Sequence, residues 1–169
     1  DINGDQILDI VSTQKHLSLS SGSNDWRVKW FENQGSGTGF TEHILSPILS
    51  GFAKVKVAEL NSDAHPDIVA ADDDGIHVWI NQGGGTFTYS PYYSNDIRRI
   101  ELTDVDGDSD IDIVAAVEIG APSGNNSVCS WRANDGTGSF GQAFGISGEL
   151  GWVRGLESGD INGDGKMDL

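Results

Sequence analysis

The residues of this chain best suited to chemistry are acids, and they recur in one fixed order. Asp1-Ile2-Asn3-Gly4-Asp5-Gln6-Ile7-Leu8-Asp9 opens the chain, and Glu59-Leu60-Asn61-Ser62-Asp63-Ala64-His65-Pro66-Asp67 follows. Asp104-Val105-Asp106-Gly107-Asp108-Ser109-Asp110-Ile111-Asp112 comes third, and Asp160-Ile161-Asn162-Gly163-Asp164-Gly165-Lys166-Met167-Asp168 closes the series. In each stretch, oxygen-bearing side chains fall at positions 1, 3, 5 and 9 of nine. A hard cation such as Ca²⁺ takes six to eight oxygens at roughly 2.3–2.6 Å. Alternate residues of a tight loop can point inward together, and a backbone carbonyl near position 7 can add one more. The small residue at position 4 (Gly4, Ser62, Gly107, Gly163) permits the sharp bend.

A single Asp-x-Asn-Gly-Asp stretch means little, because turns favour these residues anyway. Four in register, each with an acid at position 9, carry the signal. The Glu59 loop departs from the rest. Glu stands at position 1, no Gly occurs within it, and Pro66 precedes its last acid. The EF-hand pattern does not fit, since that loop has twelve residues, ends in a bidentate Glu and lies between helices. Here position 9 runs straight into Ile10-Val11, Ile68-Val69 or Ile113-Val114, β-branched residues that favour a strand.

The formal charge is −16, from 26 acids and 10 bases, and 13 of the acids sit at the loop ligand positions. Much of the acidity therefore belongs to the loops, where like charges crowd unless a cation joins them. The balance argues against a nucleic-acid partner, which requires clustered Lys and Arg, and against anionic membranes. No stretch is apolar enough to span a bilayer. No signal peptide is visible, and the chain begins inside a motif. The lone Cys129 excludes an internal disulfide and reads as a buried thiol on a strand.

The elements that must hold these loops also repeat. An apolar strand follows each of the first three loops: Ile10-Val11, Ile68-Val69-Ala70-Ala71 and Ile113-Val114-Ala115-Ala116. A second strand ends in an aromatic and an Asn: Trp30-Phe31-Glu32-Asn33, Trp79-Ile80-Asn81 and Trp131-Arg132-Ala133-Asn134. A Gly-rich turn then leads to Phe40, Phe87 or Phe140. The Trp residues are 49 and 52 apart and the Phe residues 47 and 53. A further strand precedes the next loop, with Val55 and Val57 alternating with Lys54 and Lys56, and Ile100 and Leu102 flanking Glu101. No helical periodicity competes. Four short strands per unit of about fifty residues predict an all-β fold of propeller-type blades. The Trp, Phe and Asn positions are read as structural, the aromatics filling the space between sheets and Asn-x-Gly making the turn.

On these residues the chain resembles FG-GAP/VCBS repeats, the calcium-binding blades also found in integrin α-subunit propellers. The resemblance rests on Asp104 to Asp112 followed by Ile113-Val114, on Trp30-Phe31-Glu32-Asn33-Gln34-Gly35, and on Gly85-Thr86-Phe87. It implies up to four Ca²⁺ ions. The ligands it implies are Asp1, Asn3, Asp5 and Asp9; Glu59, Asn61, Asp63 and Asp67; Asp104, Asp106, Asp108 and Asp112; and Asp160, Asn162, Asp164 and Asp168. Carbonyls of Ile7, His65, Asp110 and Lys166 would complete the shells. It places each loop between the first two strands of a blade.

That placement gives one repeat domain over residues 1–169, with units at about 1–50, 51–95 and 96–150 and a further unit begun by 151–169. The first unit lacks a first strand, and Gly151-Trp152-Val153-Arg154-Gly155-Leu156 reads as one at the other end. Three blades' worth of strands is too few to close a ring of the usual 4–8. Either these residues belong to a longer array, or copies associate head to tail through the terminal strands into a ring or filament.

Three functions are weighed. The first is a calcium-stabilised structural or adhesion module of a secreted or cell-surface protein, since extracellular calcium modules work at roughly 10⁻⁴–10⁻³ M. The second is a glycan-binding module, or a non-catalytic part of a larger extracellular enzyme. The connections Gln14 to Asp25 and Glu118 to Ser127 are long beside Asp72 to Gly75, and Trp26 and Tyr92-Tyr93 are the aromatics that could hold a sugar. The third, catalysis, is not expected. His16, His43, His65 and His77 share no metal-ligand spacing, and no nucleophile motif occurs. Asn125-Asn126-Ser127 forms an N-glycosylation sequon.

Overall fold

Every strand pairs with its neighbour in the chain, and the result is three antiparallel sheets of simple meander order. The structure, a computed structural model, describes residues 1–17, 24–35, 39–51, 53–93, 96–119, 126–148, 150–151 and 153–169. The first sheet holds β1 (Ile10–Leu17), β2 (Asn24–Asn33) and β3 (Phe40–Ile44). The second holds β4 (Lys54–Ala58), β5 (Asp67–Ala71), β6 (Gly75–Asn81) and β7 (Phe87–Tyr93). The third holds β8 (Ile97–Thr103), β9 (Asp112–Ile119), β10 (Asn126–Asn134) and β11 (Phe140–Gly145). The fold is all-β, with no helix among the described residues and therefore none long and apolar enough to cross a membrane.

The sheets stack as blades, and the middle sheet shows why its sequence is apolar without alternation. All five residues of β5 are buried. Side chains of a strand point to opposite faces in turn. Ile68 and Ala70 pack toward the first sheet with Val28, Trp30 and Trp79. Val69 and Ala71 pack toward the third with Ile100, Ile113 and Phe140. Both faces of β5 are thus covered, and after Asp67, which enters the loop's hydrogen bonds, no polar alternate residue has a place there. The sheets approach one another through β1, β4, β5 and β8, so their leading strands form the convergent side of the stack.

The connection from the first sheet to the second is pinned at both ends. Trp79 donates its indole N–H to the Ser46 carbonyl at 2.7 Å. The Asp72 carboxylate, fully buried, accepts the Ser50 amide at 2.8 Å. Asp72 also accepts from the Asp74 and Gly75 amides and from His77 Nε2 at 3.0 Å, while His77 Nδ1 meets the Tyr89 hydroxyl at 2.8 Å.

Several sequence expectations need correction. Gly151 to Leu156 forms no strand among its described residues, and Trp152 lies outside them. In the two four-stranded sheets the leading strand is held by the second strand of its own sheet. No described strand forms a ladder with Val153 to Leu156, although Arg99 of β8 donates to the Arg154 carbonyl. The connections thought long are in part ladder: Gln14 pairs with Arg27, His16 with Asp25, and Asn126 with Ile119. Pairing decides a strand, and these polar residues pair. What remains, 18–23 and 120–125 with Asn125 of the sequon, lies outside the described residues. The aromatic reading holds for Trp30, Trp79 and Phe140, which are buried between sheets. It fails for Phe40, which is 45% exposed on a face that no described sheet covers. It also fails for Trp131, which lies against Phe144 of its own sheet and outside both inter-sheet cores. Cys129 is buried, as expected.

Candidate metal centres

The Glu59–Asp67 loop joins β4 to β5 and the Asp104–Asp112 loop joins β8 to β9, while Asp1–Asp9 leads into β1. The Asp160–Asp168 loop is closed on itself by paired backbone hydrogen bonds between Gly159 and Asp168 at 2.9 and 3.0 Å. Each loop turns inward at two left-handed residues. Position 4 has φ of 82°, 61°, 85° and 78° (Gly4, Ser62, Gly107, Gly163). Position 6 has φ of 71°, 67°, 79° and 84° (Gln6, Ala64, Ser109, Gly165). The sequence pointed to position 4 and missed position 6, where only one of the four residues is Gly. The Glu59 loop adopts the shared path with Ser62 and Ala64 at a conformation that side chains resist.

That path brings successive amides round to the acids. Asp1 accepts from Gly4, Asp5 and Gln6 at 2.7, 3.1 and 2.7 Å. Asp104 accepts from Gly107 and Ser109, and Asp160 from Gly163, Asp164 and Gly165. Glu59, one methylene longer, keeps the position 5 amide of Asp63 at 3.2 Å but takes that of Asn61, at position 3, at 3.3 Å. At position 5 all four loops agree. Asp5, Asp63, Asp108 and Asp164 accept the amides of Ile7, His65, Asp110 and Lys166 at 2.8–2.9 Å. At position 3, Asn3, Asp106 and Asn162 each accept the amide two residues on.

Position 9 does something the sequence did not announce. One carboxylate oxygen accepts the position 2 amide, from Ile2, Leu60, Val105 and Ile161 into Asp9, Asp67, Asp112 and Asp168 at 2.7–2.9 Å. The other oxygen, in the first three loops, accepts the amide of the strand-ending Asn33, Asn81 or Asn134 at 2.7–2.9 Å. The acid thus ties its loop to the third strand of the same blade. Asp67 and Asp112 are wholly buried in doing so. Burial pushes Asp67 up to about 6 against the amides of Asn81 and Leu60, with Glu59 and Asp63 adding to the rise. Burial also raises Asp112 against the amides of Asn134 and Val105, with Asp106 and Asp108 adding to it.

Two features bear on whether these donors suit a hard cation. Carboxylate oxygens of Asp104, Asp106 and Asp108 lie within 4.8 Å of one another, the one such cluster of acids among the described residues. Asp112 stands outside that group, turned toward Asn134. In the Glu59 loop, Asn61 Oδ1 is buried and meets no hydrogen-bond donor, although its Nδ2 donates to Asp63 at 2.9 Å. Three converging carboxylates and an orphaned amide oxygen are both oxygen-only demands for positive charge. The donor set fits.

The strand-ending Asn carries a second role hidden in the sequence, where it looked like a turn residue alone. Asn81 Nδ2 donates to the carbonyl of Ile2, in the loop of the preceding sheet, at 2.7 Å. Asn134 Nδ2 donates likewise to Leu60 at 2.7 Å. Position 2 of one loop is thereby clamped under the next blade. Ile2 and Leu60 are buried there, whereas Ile161, with no described blade over it, is 81% exposed.

The FG-GAP-like repeat profile matches the chain at residues 1–69, 59–115 and 104–169. This chain belongs to the FG-GAP-like repeat family. Each match begins on the first acid of a loop, so the FG-GAP-like unit starts one strand later than the blade, after β4 and after β8. No curated protein matches the sequence. Among solved structures, an Agrocybe aegerita lectin described as recognising non-reducing terminal N-acetylglucosamine is 19% identical over 82% of this chain, with a TM-score of 0.45. This chain spans 38% of that protein.

Of the aromatic and histidine side chains considered in the sequence, Trp26, Tyr92, His43 and His77 are absorbed into the repeats. Trp26 packs against the first inter-sheet core, and Tyr92 meets Phe140 edge to face at 5.7 Å while its hydroxyl accepts the Phe140 amide. The side chains of Tyr93 and His16 lie outside the described residues. His43 stacks on Trp30 at 4.0 Å and contacts Glu32 at 2.9 Å.

Proposed function

We propose that these FG-GAP-like repeats bind calcium in their loops and serve as a structural or adhesion module of a secreted or cell-surface protein, without catalysis of their own. The observation that carries this reading is the convergence of Asp104, Asp106 and Asp108 within 4.8 Å. Backbone amides already fix these side chains, so little ordering remains for a ligand to impose. Position 1, 3, 5 and 9 side chains with the position 7 carbonyl would hold the ion. Its charge would offset carboxylate repulsion and lock each loop against its blade, adding binding energy to folding stability.

Calorimetric titration of metal-free protein with Ca²⁺, with Mg²⁺ as the comparison, tests the reading. Heat of binding confined to Ca²⁺, reduced by one site in D106N, is the expected result. No heat, or an unchanged isotherm in D106N, would remove calcium from the account.

A second reading concerns assembly. Among the described residues β1 pairs only with β2, leaving an eight-residue edge open there, and open edges recruit strands. A strand from a longer parent chain or from a second copy would complete the first blade. Light scattering with size exclusion, in millimolar Ca²⁺ and in EGTA, separates the two. A defined multimer supports copies, and a monomer in both conditions removes them.

A further inference from the structure

Six hydrogen bonds lead from the third acidic loop through the second to the first. The Asn134 amide donates to Asp112 at 2.9 Å, and its Nδ2 donates to the Leu60 carbonyl at 2.7 Å. The Leu60 amide donates to Asp67 at 2.8 Å, and the other oxygen of Asp67 accepts the Asn81 amide at 2.7 Å. Asn81 Nδ2 then donates to the Ile2 carbonyl, and the Ile2 amide donates to Asp9, both at 2.7 Å. The position 9 acids of three loops thus stand in one line. Each joint in it is a strand-ending Asn and a position 2 residue.

The line is buried almost throughout. Asp112, Asp67 and Asn81 are inaccessible, and Asn134, Leu60 and Ile2 nearly so. Water cannot replace a member there, and hydrogen bonds in such surroundings reinforce one another. The fourth loop stands outside the line. Its Asp168 accepts the Ile161 amide, but Ile161 is exposed instead of clamped.

We propose that Asn81 and Asn134 are positioning residues that couple calcium binding in adjacent loops, so that filling one loop raises the affinity of the next. The inference rests on the calcium reading given above. Leu60 lies between the position 1 and position 3 side chains of its loop, so a loop closed on an ion holds the Leu60 carbonyl still. Asn134, gripping that carbonyl, in turn holds Asp112 in place for the third loop. Ordering done once serves both loops, and the coupling is therefore positive. Two bound cations repel each other directly and would oppose the second ion. The sign separates a relay through the protein from that direct effect.

NMR titration of the metal-free chain with Ca²⁺, at about 0.15 M salt, tests the coupling. The position 6 amides of Gln6, Ala64, Ser109 and Gly165 report the four loops separately. E59Q and D108N lower the charge of the second and third loops and keep an oxygen for the amides that Glu59 and Asp108 now accept. D108N is expected to raise the Ser109 midpoint and, with it, the Ala64 midpoint by about fivefold or more. E59Q is expected to raise the Ser109 midpoint in turn, since coupling is reciprocal, and to leave Gly165 unmoved. In N134A, D108N and E59Q are each expected to shift their own loop alone. An effect of long-range charge would survive N134A and would vanish at about 1 M salt, where screening acts within about 3 Å. The salt comparison needs no change at Asn134, so it decides the matter even where N134A does not fold. Calcium binding with an Ala64 midpoint indifferent to D108N, or a shift that high salt removes, overturns the coupling and leaves the calcium reading standing. No movement of any of the four amides overturns both.

Discussion

Asn134 Nδ2 lies 2.7 Å from the carbonyl oxygen of Leu60, joining the turn after the third strand of one blade to the acidic loop of the blade before it. The same amide group donates to Ile111 at 3.1 Å, and its oxygen accepts the Gly136 and Gly138 amides at 3.2 and 3.0 Å. One side chain therefore holds a turn, its own loop and a neighbour's loop.

Removing it leaves several buried polar groups without partners at once. Each such group costs about 1–3 kcal/mol, and N134A is expected to lose about 2–4 kcal/mol in urea unfolding. N81A, which frees the carbonyls of Ile2 and Pro66, is expected to lose a similar amount. N33A, whose Nδ2 reaches only Leu8 at an exposed position, is expected to lose less than about 1 kcal/mol. Equal losses at all three positions would show that the inter-blade bond contributes nothing beyond the turn.

Gly138 is expected to tolerate no side chain. Its φ is +77°, and a Cβ there would overlap Cδ1 of Ile80 on the neighbouring sheet. G138A should cost about 2–3 kcal/mol from backbone strain and overpacking together. I80V shortens the opposing side chain, and the G138A/I80V pair should recover part of the loss. A double-mutant cycle in thermal unfolding measures it, and strict additivity would mean the two do not meet.

The Glu59 loop should be improvable. Ser62 and Ala64 hold φ of 61° and 67°, where the other loops place Gly at one or both positions. S62G and A64G are each expected to raise stability by up to about 1 kcal/mol, strain relief offset in part by unfolded-state entropy. A fall in the melting midpoint would show that the Ser62 or Ala64 side chain contributes a contact that outweighs the strain.

Without metal, the buried acids should make stability fall as pH rises. Asp67 titrates near 3.8 when unfolded and about 6 when folded. The folded state then binds more protons between those values, so the contribution is full below about pH 4 and lost as pH rises through about 6. Asp112 shifts in the same direction. Asp72 runs the other way. Burial alone would raise it, but the His77 hydrogen bond and the Asp74 and Ser50 amides outweigh that and hold it below its ordinary value. Its contribution is therefore lost only at lower pH, below this window. Bound Ca²⁺ requires ionised carboxylates. Melting midpoints from pH 4 to 7 should decline in EGTA and flatten in Ca²⁺. A decline of equal slope in both would detach these acids from metal binding.

Much of this was legible in the sequence because the loops and the blade share one repeat. The acids at alternate positions, the β-branched run after position 9 and the recurring Trp and Phe place the strands of the second and third sheets. What escaped depends on pairing between distant segments. Gln14 to Leu17 look like loop residues, yet they lie in a ladder with Asn24 to Arg27. Val153 to Leu156 look like a strand, yet no described strand pairs them. The turn chemistry of Asn81 and Asn134 explains their presence so well that their reach into the preceding loop leaves no separate trace. Position 6 shows no common residue type, because the backbone path is set by the hydrogen bonds of positions 1 and 5.

The double-sided burial of β5 has a mechanical corollary. No blade owns a core; each core is a seam between two blades, and the middle sheet contributes to both seams. Rupture should then proceed seam by seam from the outermost blades, as in a linear stack with nearest-neighbour coupling. Amide exchange should be slowest in β5 and β6 and fastest toward β3 and β11. A chain made of such units resists pulling in proportion to the number of seams it contains, not the number of sheets.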